Sequence, residues 1–195
     1  MTAQSQLINA DCLQAMPDIP DGSVDMVLTD PPYGTTACKW DSVIPFEPMW
    51  EQLKRLIKPN GAIVLTASQP FTSALIMSNV GMFKYCWVWE KSKATGFLDA
   101  RRKPLKSHED VVIFSAGRTP YFPQGLKPVS VKNSRKNKQG SGVYGVVSSD
   151  EYIQKEGNFP KSILRINAIT HKQIHPTQKP VALMEYLIRT YTNEG

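Results

Sequence analysis

Short apolar runs alternate with Pro-, Gly- and Asp-rich breaks along most of this chain. Leu7-Ile8-Asn9-Ala10 reads as a brief strand ending at Asp11. Val24 to Thr29 is a nearly continuous apolar strand, of the kind buried on both faces of a parallel sheet. Pro48 then opens a helix with Trp50, Leu53, Leu56 and Ile57 on one face, and Lys58-Pro59-Asn60-Gly61 ends it. Ala62 to Thr66 is a third strand and Thr72 to Val80 a second helix. Tyr85 to Trp89 and Val111 to Phe114 are two later strands. Strands and helices alternating at this spacing predict an α/β layered sheet.

From about 118 to 162 the periodicity fails among Pro120, Pro123, Pro128, several glycines and a basic run, which predicts an insert or loop region. Pro180 then starts a last helix, with Leu183, Met184, Leu187, Ile188 and Tyr191 as its apolar stripe. No internal repeat is visible.

Charge changes this picture in one place. The net charge is +6, but residues 91–140 carry 12 Lys and Arg against 3 Asp and Glu, while residues 1–90 carry 5 against 9. Arg101, Arg102, Lys103 and Lys106 form one cluster. Lys127, Lys132, Arg135, Lys136 and Lys138 form another, with Tyr121, Phe122 and Tyr144 interleaved. A basic middle with aromatic residues is the footprint of a phosphate-backbone partner; a solvated loop kept soluble by charge would look similar.

Composition mainly excludes. With 195 residues, 41% of them hydrophobic, one core with an inserted subdomain is expected. No apolar run approaches a membrane span, and the N-terminus lacks a charged-then-apolar signal. Cys12, Cys38 and Cys86 are odd in number and without a C-x-x-C pair, which argues against disulfides and zinc and for a reducing cytoplasm. His171 and His175 are four apart, but Pro176 and the lack of neighbouring ligands argue for ordinary loop histidines.

The chemistry concentrates at Asp30-Pro31-Pro32-Tyr33, where the apolar strand ends. A nucleobase amino group is a poor nucleophile because its lone pair is conjugated into the ring. Two acceptors on its hydrogens, the Asp30 carboxylate and the Pro31 carbonyl, would pull the nitrogen toward tetrahedral geometry. Proline fixes φ, so that carbonyl is held in place beforehand. Tyr33 would stack on a base taken out of the duplex. Positioning and electrostatics suffice, with no metal. The plain alternative is a Pro-Pro turn closing a strand.

Asp30-Pro31-Pro32-Tyr33-Gly34 resembles the catalytic motif of amino-group DNA methyltransferases, which use S-adenosylmethionine. Two further segments resemble the same family in the same order. They are Ile8-Asn9-Ala10-Asp11-Cys12-Leu13, followed by Pro20-Asp21-Gly22-Ser23-Val24-Asp25, and His175-Pro176-Thr177-Gln178-Lys179-Pro180, followed by Leu183 and Met184. The order resembles the permuted group, in which the catalytic motif precedes the cofactor's glycine loop. The resemblance implies a Rossmann-like sheet built from residues 1–117 and 163–195, with 118–162 as a target-recognition insert. It implies double-stranded DNA as partner, with adenine favoured over cytosine because the motif starts with Asp rather than Ser. Asp11, Asp30, Lys179 and Pro180 would lie at the cofactor, with Lys179 neutralising its carboxylate. Asp11 serves equally as a helix N-cap. Trp40 and Asp41 would touch the flipped base or close the loop.

One departure from the family pattern stands out. A strand and a glycine-rich loop should follow the helix after Pro180, and the sequence given reaches Asn193-Glu194-Gly195 where that strand would start. Gly140, Gly142 and Gly145 spell G-x-G-x-x-G, but they follow a polar, basic run rather than a strand. The expectation is therefore a partial methyltransferase sheet, completed by a second chain or a C-terminal continuation. The competing expectation is a DNA-binding remnant or subunit without a cofactor site of its own.

Overall fold

The computed structural model describes residues 5–133, 152–169, 174–175 and 177–193. The chain divides into two units, residues 1–122 with 162–195, and residues 123–161.

The first unit is an α/β layered structure. Its sheet runs β1 (Val24–Thr29), β2 (Ile57–Ala67), β4 (Lys106–Phe114), β3 (Phe83–Thr95), β7 (Ile163–Arg165). β1 lies parallel to β2, and β7 parallel to β3, while β2, β4 and β3 pair antiparallel. The sheet is mixed, where the apolar run at Val24 alone predicted a parallel one. β1 is half-buried rather than sunk in the middle, because its only ladder partner among the described residues is β2.

Side-chain alternation along β2 builds the core on both faces. Ile63 and Leu65 point into a cluster with Met49, Trp50, Leu53 and Phe71 of α2 (Phe46–Leu56) and α3 (Phe71–Ser78). Ala62 and Val64 point the other way, to Leu183, Leu187 and Tyr191 of α4 (Val181–Tyr191). Leu187 is fully enclosed, so truncating it to Ala costs about 2–5 kcal/mol. Tyr191 is equally enclosed and satisfied, since its hydroxyl accepts from Trp87 Nε1 at 2.6 Å.

Several boundaries differ from the sequence reading, each for a physical reason. Leu7 to Ala10 form no strand. Leu7 is 98% exposed, and no described strand offers a ladder. The Asp11 carboxylate instead caps α1 (Cys12–Ala15), accepting from the Leu13 N–H at 2.8 Å. α2 begins two residues before Pro48, since the first helical turn has no N–H partners to lose. β2 begins at Ile57, because Ile57 pairs with Val24 and an irregularity absorbs the residues up to Ala62. Gly61 makes this possible: a Cβ there would stand 2.8 Å from the Asp25 carbonyl oxygen. β3 and β4 extend well past their apolar stretches as one antiparallel hairpin, down to Thr95 opposite Lys106.

The second unit holds β5 (Lys127–Asn133) antiparallel to β6 (Tyr152–Gly157). Asn158, in the left-handed region at φ 62, donates its side-chain amide to Gly125 O at 2.7 Å. These strands carry Lys, Pro and an exposed Val131 rather than a clean apolar face, so periodicity did not reveal them.

Candidate active site

Asp30 follows the last residue of β1, at the strand's carboxyl end, where open α/β sheets hold their ligands. A cleft of about 950 Å³ opens there, lined by Asp30, Pro31, Pro32 and Tyr33. Trp40, Asp41, Lys91, Lys106, Glu109 and Lys179 also line it.

Asp30 is the hub. Lys179 Nζ donates to its two carboxylate oxygens at 2.7 and 2.8 Å. The hydroxyl of Thr66, a fully buried residue of β2, donates to Oδ1. The Tyr33 hydroxyl lies 2.8 Å from the same oxygen and 3.0 Å from Thr66 Oγ1, and its single proton serves one of them at a time. Burial, and then the nearby Asp30 charge, push the Tyr33 phenol far above its ordinary value, so Tyr33 stays a donor.

Charge alternates beyond Asp30. Lys179 Nζ is also 3.2 Å from Glu109 Oε2, and Lys91 Nζ is 3.1 Å from Glu109 Oε1. Glu109 Oε2 sits beside Lys179 without hydrogen-bond alignment and has no hydrogen-bond partner among the described residues. Lys91, Glu109 and Lys179 are each nearly enclosed, so these are pairs of the costly, mutually dependent kind. Lys106 faces the same cleft, and its ammonium is lowered from the ordinary value chiefly by burial.

Asp41 shapes the loop after the Pro-Pro step. Its carboxylate accepts from the N–H groups of Tyr33, Gly34, Thr35 and Thr36 at 2.7–2.9 Å. Burial raises its carboxyl, but the hydrogen bonds from Gly34, Thr36 and Thr35 outweigh that and bring it down to about 2. Gly34 adopts φ 67, a conformation open to glycine at little cost.

Of the residues singled out in the sequence, Asp30, Pro31, Pro32, Tyr33 and Lys179 line this one cleft. The Tyr33 ring stacks on Phe71, centroids 5.3 Å apart at 23°, with the Lys179 ammonium 5.6 Å from its centroid. The Lys179 charge is met by Asp30 and Glu109. Asp11 spends an oxygen on its helix cap and is not among the lining residues, and Pro180 is the buried N-cap of α4. Trp40 is half-exposed in the cleft wall, edge-on to His175 at 5.4 Å. Arg101 and Arg102 lie on the exposed β3–β4 loop, and Lys132 on β5 of the second unit. Arg135, Lys136, Lys138, Tyr144, the glycines at 140, 142 and 145, His171 and Pro176 lie outside the described residues. No group of His, Cys, Asp and Glu that could hold a metal occurs among the described residues.

Thr66, Lys91 and Glu109 were not legible as site residues. A signal was present: Glu90-Lys91 follows Trp87-Val88-Trp89, and Glu109-Asp110 precedes Val111 to Phe114, so charges sit directly against the ends of two apolar runs. Asp110 has a different task, accepting from Thr72 Oγ1 at 2.7 Å to tie β4 to α3.

Comparison with known proteins gives this cleft a family. The chain is similar to the type II methyltransferase M.HpaI of Haemophilus parainfluenzae, 26% identical over 97% of this chain and 60% of that protein. It is also similar to the type II methyltransferase M.BglII of Bacillus subtilis, 28% identical over 96% of this chain and 56% of that protein. The chain thus spans somewhat over half the length of these relatives. Among solved structures, the M1.HpyAVI–SAM complex superposes with a TM-score of 0.58, at 22% identity over 96% of this chain and 78% of that one. The cytosine-N4-specific PvuII DNA methyltransferase gives 0.62, at 14% identity over 94% and 69%. Those likenesses establish the Rossmann-like α/β fold. Residues 24–195, from the first residue of β1 onward, match the N6_N4_Mtase family, described as DNA methylase, and the chain belongs to that family.

Proposed function

We propose that this chain takes part in methyl transfer from S-adenosylmethionine to the exocyclic amino nitrogen of a DNA base, adenine N6. The observation that carries this reading is the Asp30 carboxylate at the end of β1, beside the proline-fixed backbone of Pro31 and facing a cleft large enough for a base. The donor supplies an electrophilic methyl group when bound. Everything else falls to the chain's own residues.

Asp30 and the Pro31 carbonyl accept the two amino hydrogens, which frees the nitrogen lone pair for attack. Asp30 presents no idle carboxylate in this structure, because Lys179 bonds to both oxygens. An entering amino group therefore exchanges with one Lys179 hydrogen bond, and Glu109 keeps the displaced ammonium in place. Tyr33 holds Asp30 through its hydroxyl while its ring rests on Phe71. Trp40, half-exposed in the cleft lining, offers a stacking face. Arg101, Arg102, Lys132 and, outside the described residues, Arg135, Lys136 and Lys138 are the proposed phosphate contacts on double-stranded DNA. The segment 118–162 is proposed to recognise the target, and the setting is the cytoplasm. No helix among the described residues is long and apolar enough to cross a membrane.

The residues of the cleft fit the cofactor in part. Asp30, Pro31, Thr177 and Gln178, which line the cleft together, suit the methyl-bearing end. A carboxylate for ribose hydroxyls is missing from the described cleft. Asp41 is spent on four N–H groups and Glu109 on two lysines. The open edge of β1 supports a second reading, a DNA-binding subunit whose cofactor wall comes from another strand, supplied by a continuation or a second chain.

Incubation with tritiated S-adenosylmethionine and duplex DNA, followed by nucleoside chromatography, tests the first reading. Label in N6-methyladenine is expected; label in N4-methylcytosine would reassign the base. Calorimetry separates the two readings: micromolar cofactor affinity in this chain alone would overturn the subunit reading.

A further inference from the structure

We infer that Phe97 and Leu98, at the tip of the β3–β4 hairpin, form a wedge that enters the DNA stack when the target base leaves it. The inference rests on the DNA methyl-transfer reading above and adds a part to it.

The tip is unusual for a soluble surface. Leu98 is fully exposed and Phe97 is 65% exposed, adjacent to one another on a short loop. Single exposed apolar residues are ordinary, but an adjacent pair held out on a rigid turn loses water-ordering free energy without a partner. The loop is hydrogen-bonded rather than slack. Gly96 turns it at φ 94, the Asp99 N–H donates to Gly96 O at 3.1 Å, and the Ala100 N–H donates to Phe97 O at 3.2 Å. The Arg102 and Lys103 N–H groups donate to Asp99 O at 2.8 and 3.1 Å. The two side chains are thus presented in advance, which lowers the ordering cost of inserting them.

Charge and position say what they meet. Lys93, Arg101, Arg102 and Lys103 surround the tip in sequence. Lys103 pairs with Asp99 at 3.3 Å, whereas Arg101 and Arg102 make no ion pair among the described residues. A polyanion is the complementary partner. Thr95, two residues before Phe97, lines the same cleft as Asp30, and so do Lys93 and Lys106. Two residues of chain reach at most about 7 Å, so Phe97 stands within about that distance of the cleft lining at Thr95. A base that reaches Asp30 must leave its stack, and the vacancy is the place where apolar side chains are inserted between base steps. An anionic membrane surface would also suit basic residues around an apolar tip, but it gives no reason for the tip to stand beside the cleft that Asp30 lines.

The test is the Phe97→Ser/Leu98→Ser chain, in which both changes fall on exposed positions. The probes are duplexes carrying the site mapped by sequencing plasmid DNA methylated in vitro, one with 2-aminopurine at the target position to report extrusion of the base, and one with paired adenine there to accept the methyl group. A third duplex, also for methyl transfer, has that adenine mispaired. The double variant is expected to bind the paired duplex with an unchanged salt slope. Its 2-aminopurine signal and methyl transfer should fall about 10-fold, and the mispaired duplex should restore transfer to within about 3-fold of wild type. Wild-type levels of both signals on the paired duplex would overturn the wedge. So would a variant that loses only binding to phosphatidylserine vesicles. A wild-type chain that methylates neither adenine duplex overturns the methyl-transfer reading itself, and the failure is then visible before any substitution is made.

Discussion

Lys179 and Asp30, 149 positions apart in the chain, form a two-pronged ion pair at 2.7 and 2.8 Å in the lining of the cleft. The pair joins the end of β1 to the turn that precedes α4, so the proposed catalytic carboxylate is oriented from the far end of the sequence. It also means that Asp30 is poised by a cation rather than waiting empty.

Replacing Asp30 by Ala should lower methyl transfer at least about 10²-fold, the scale seen on losing a preorganised hydrogen-bonding group. DNA affinity should change little. Near-full transfer of tritiated methyl by this variant would remove Asp30 from the chemistry.

Lys179→Met leaves Asp30 and Glu109 facing one another without the cation between them. Stability should fall by about 1–3 kcal/mol, since one partner of an enclosed pair is removed. Adding Asp30→Asn should recover part of that loss, because the uncompensated negative charge goes with it while Glu109 keeps its pairing with Lys91. Urea midpoints of the two single variants and the double variant measure the coupling; strictly additive losses would show that the two groups act independently.

Asp41 predicts a pH dependence with a definite sign. Its folded carboxyl, at about 2, lies below the ordinary 3.8. The stabilisation it gives is therefore complete above about pH 4 and lost as pH falls through about 2. The stability gap between wild type and Asp41→Asn should be widest near neutrality and close toward pH 2. Unfolding curves at pH 6, 4 and 2.5 decide this, and a constant gap would mean that the four N–H hydrogen bonds carry no charge-dependent stabilisation.

Replacing Lys132, Arg135, Lys136 and Lys138 by Ala should weaken DNA binding and flatten its salt dependence. The slope of log K against log salt should drop by about 0.9 for each phosphate that is no longer neutralised. Fluorescence anisotropy across a salt series reads this directly, and an unchanged slope would mean that these residues contact no phosphate.

The sequence by itself determined the strand that ends on Asp30-Pro31-Pro32-Tyr33, the helices that cover the sheet and the family resemblance. Each of these depends on local periodicity or on a motif whose chemistry resides in adjacent residues. Tertiary structure alone decided the company Asp30 keeps. Thr66 comes from β2, Glu109 from β4, Lys91 from β3 and Lys179 from the approach to α4, and they meet because the sheet order places β4 between β2 and β3. It also decided that Asp11 caps a helix, that the Tyr33 ring rests on Phe71, and that Leu7 and Ile8 find no sheet to join. Ladder pairing and charge compensation are properties of neighbours in space, and a linear pattern of apolar and polar positions does not encode which neighbours those will be.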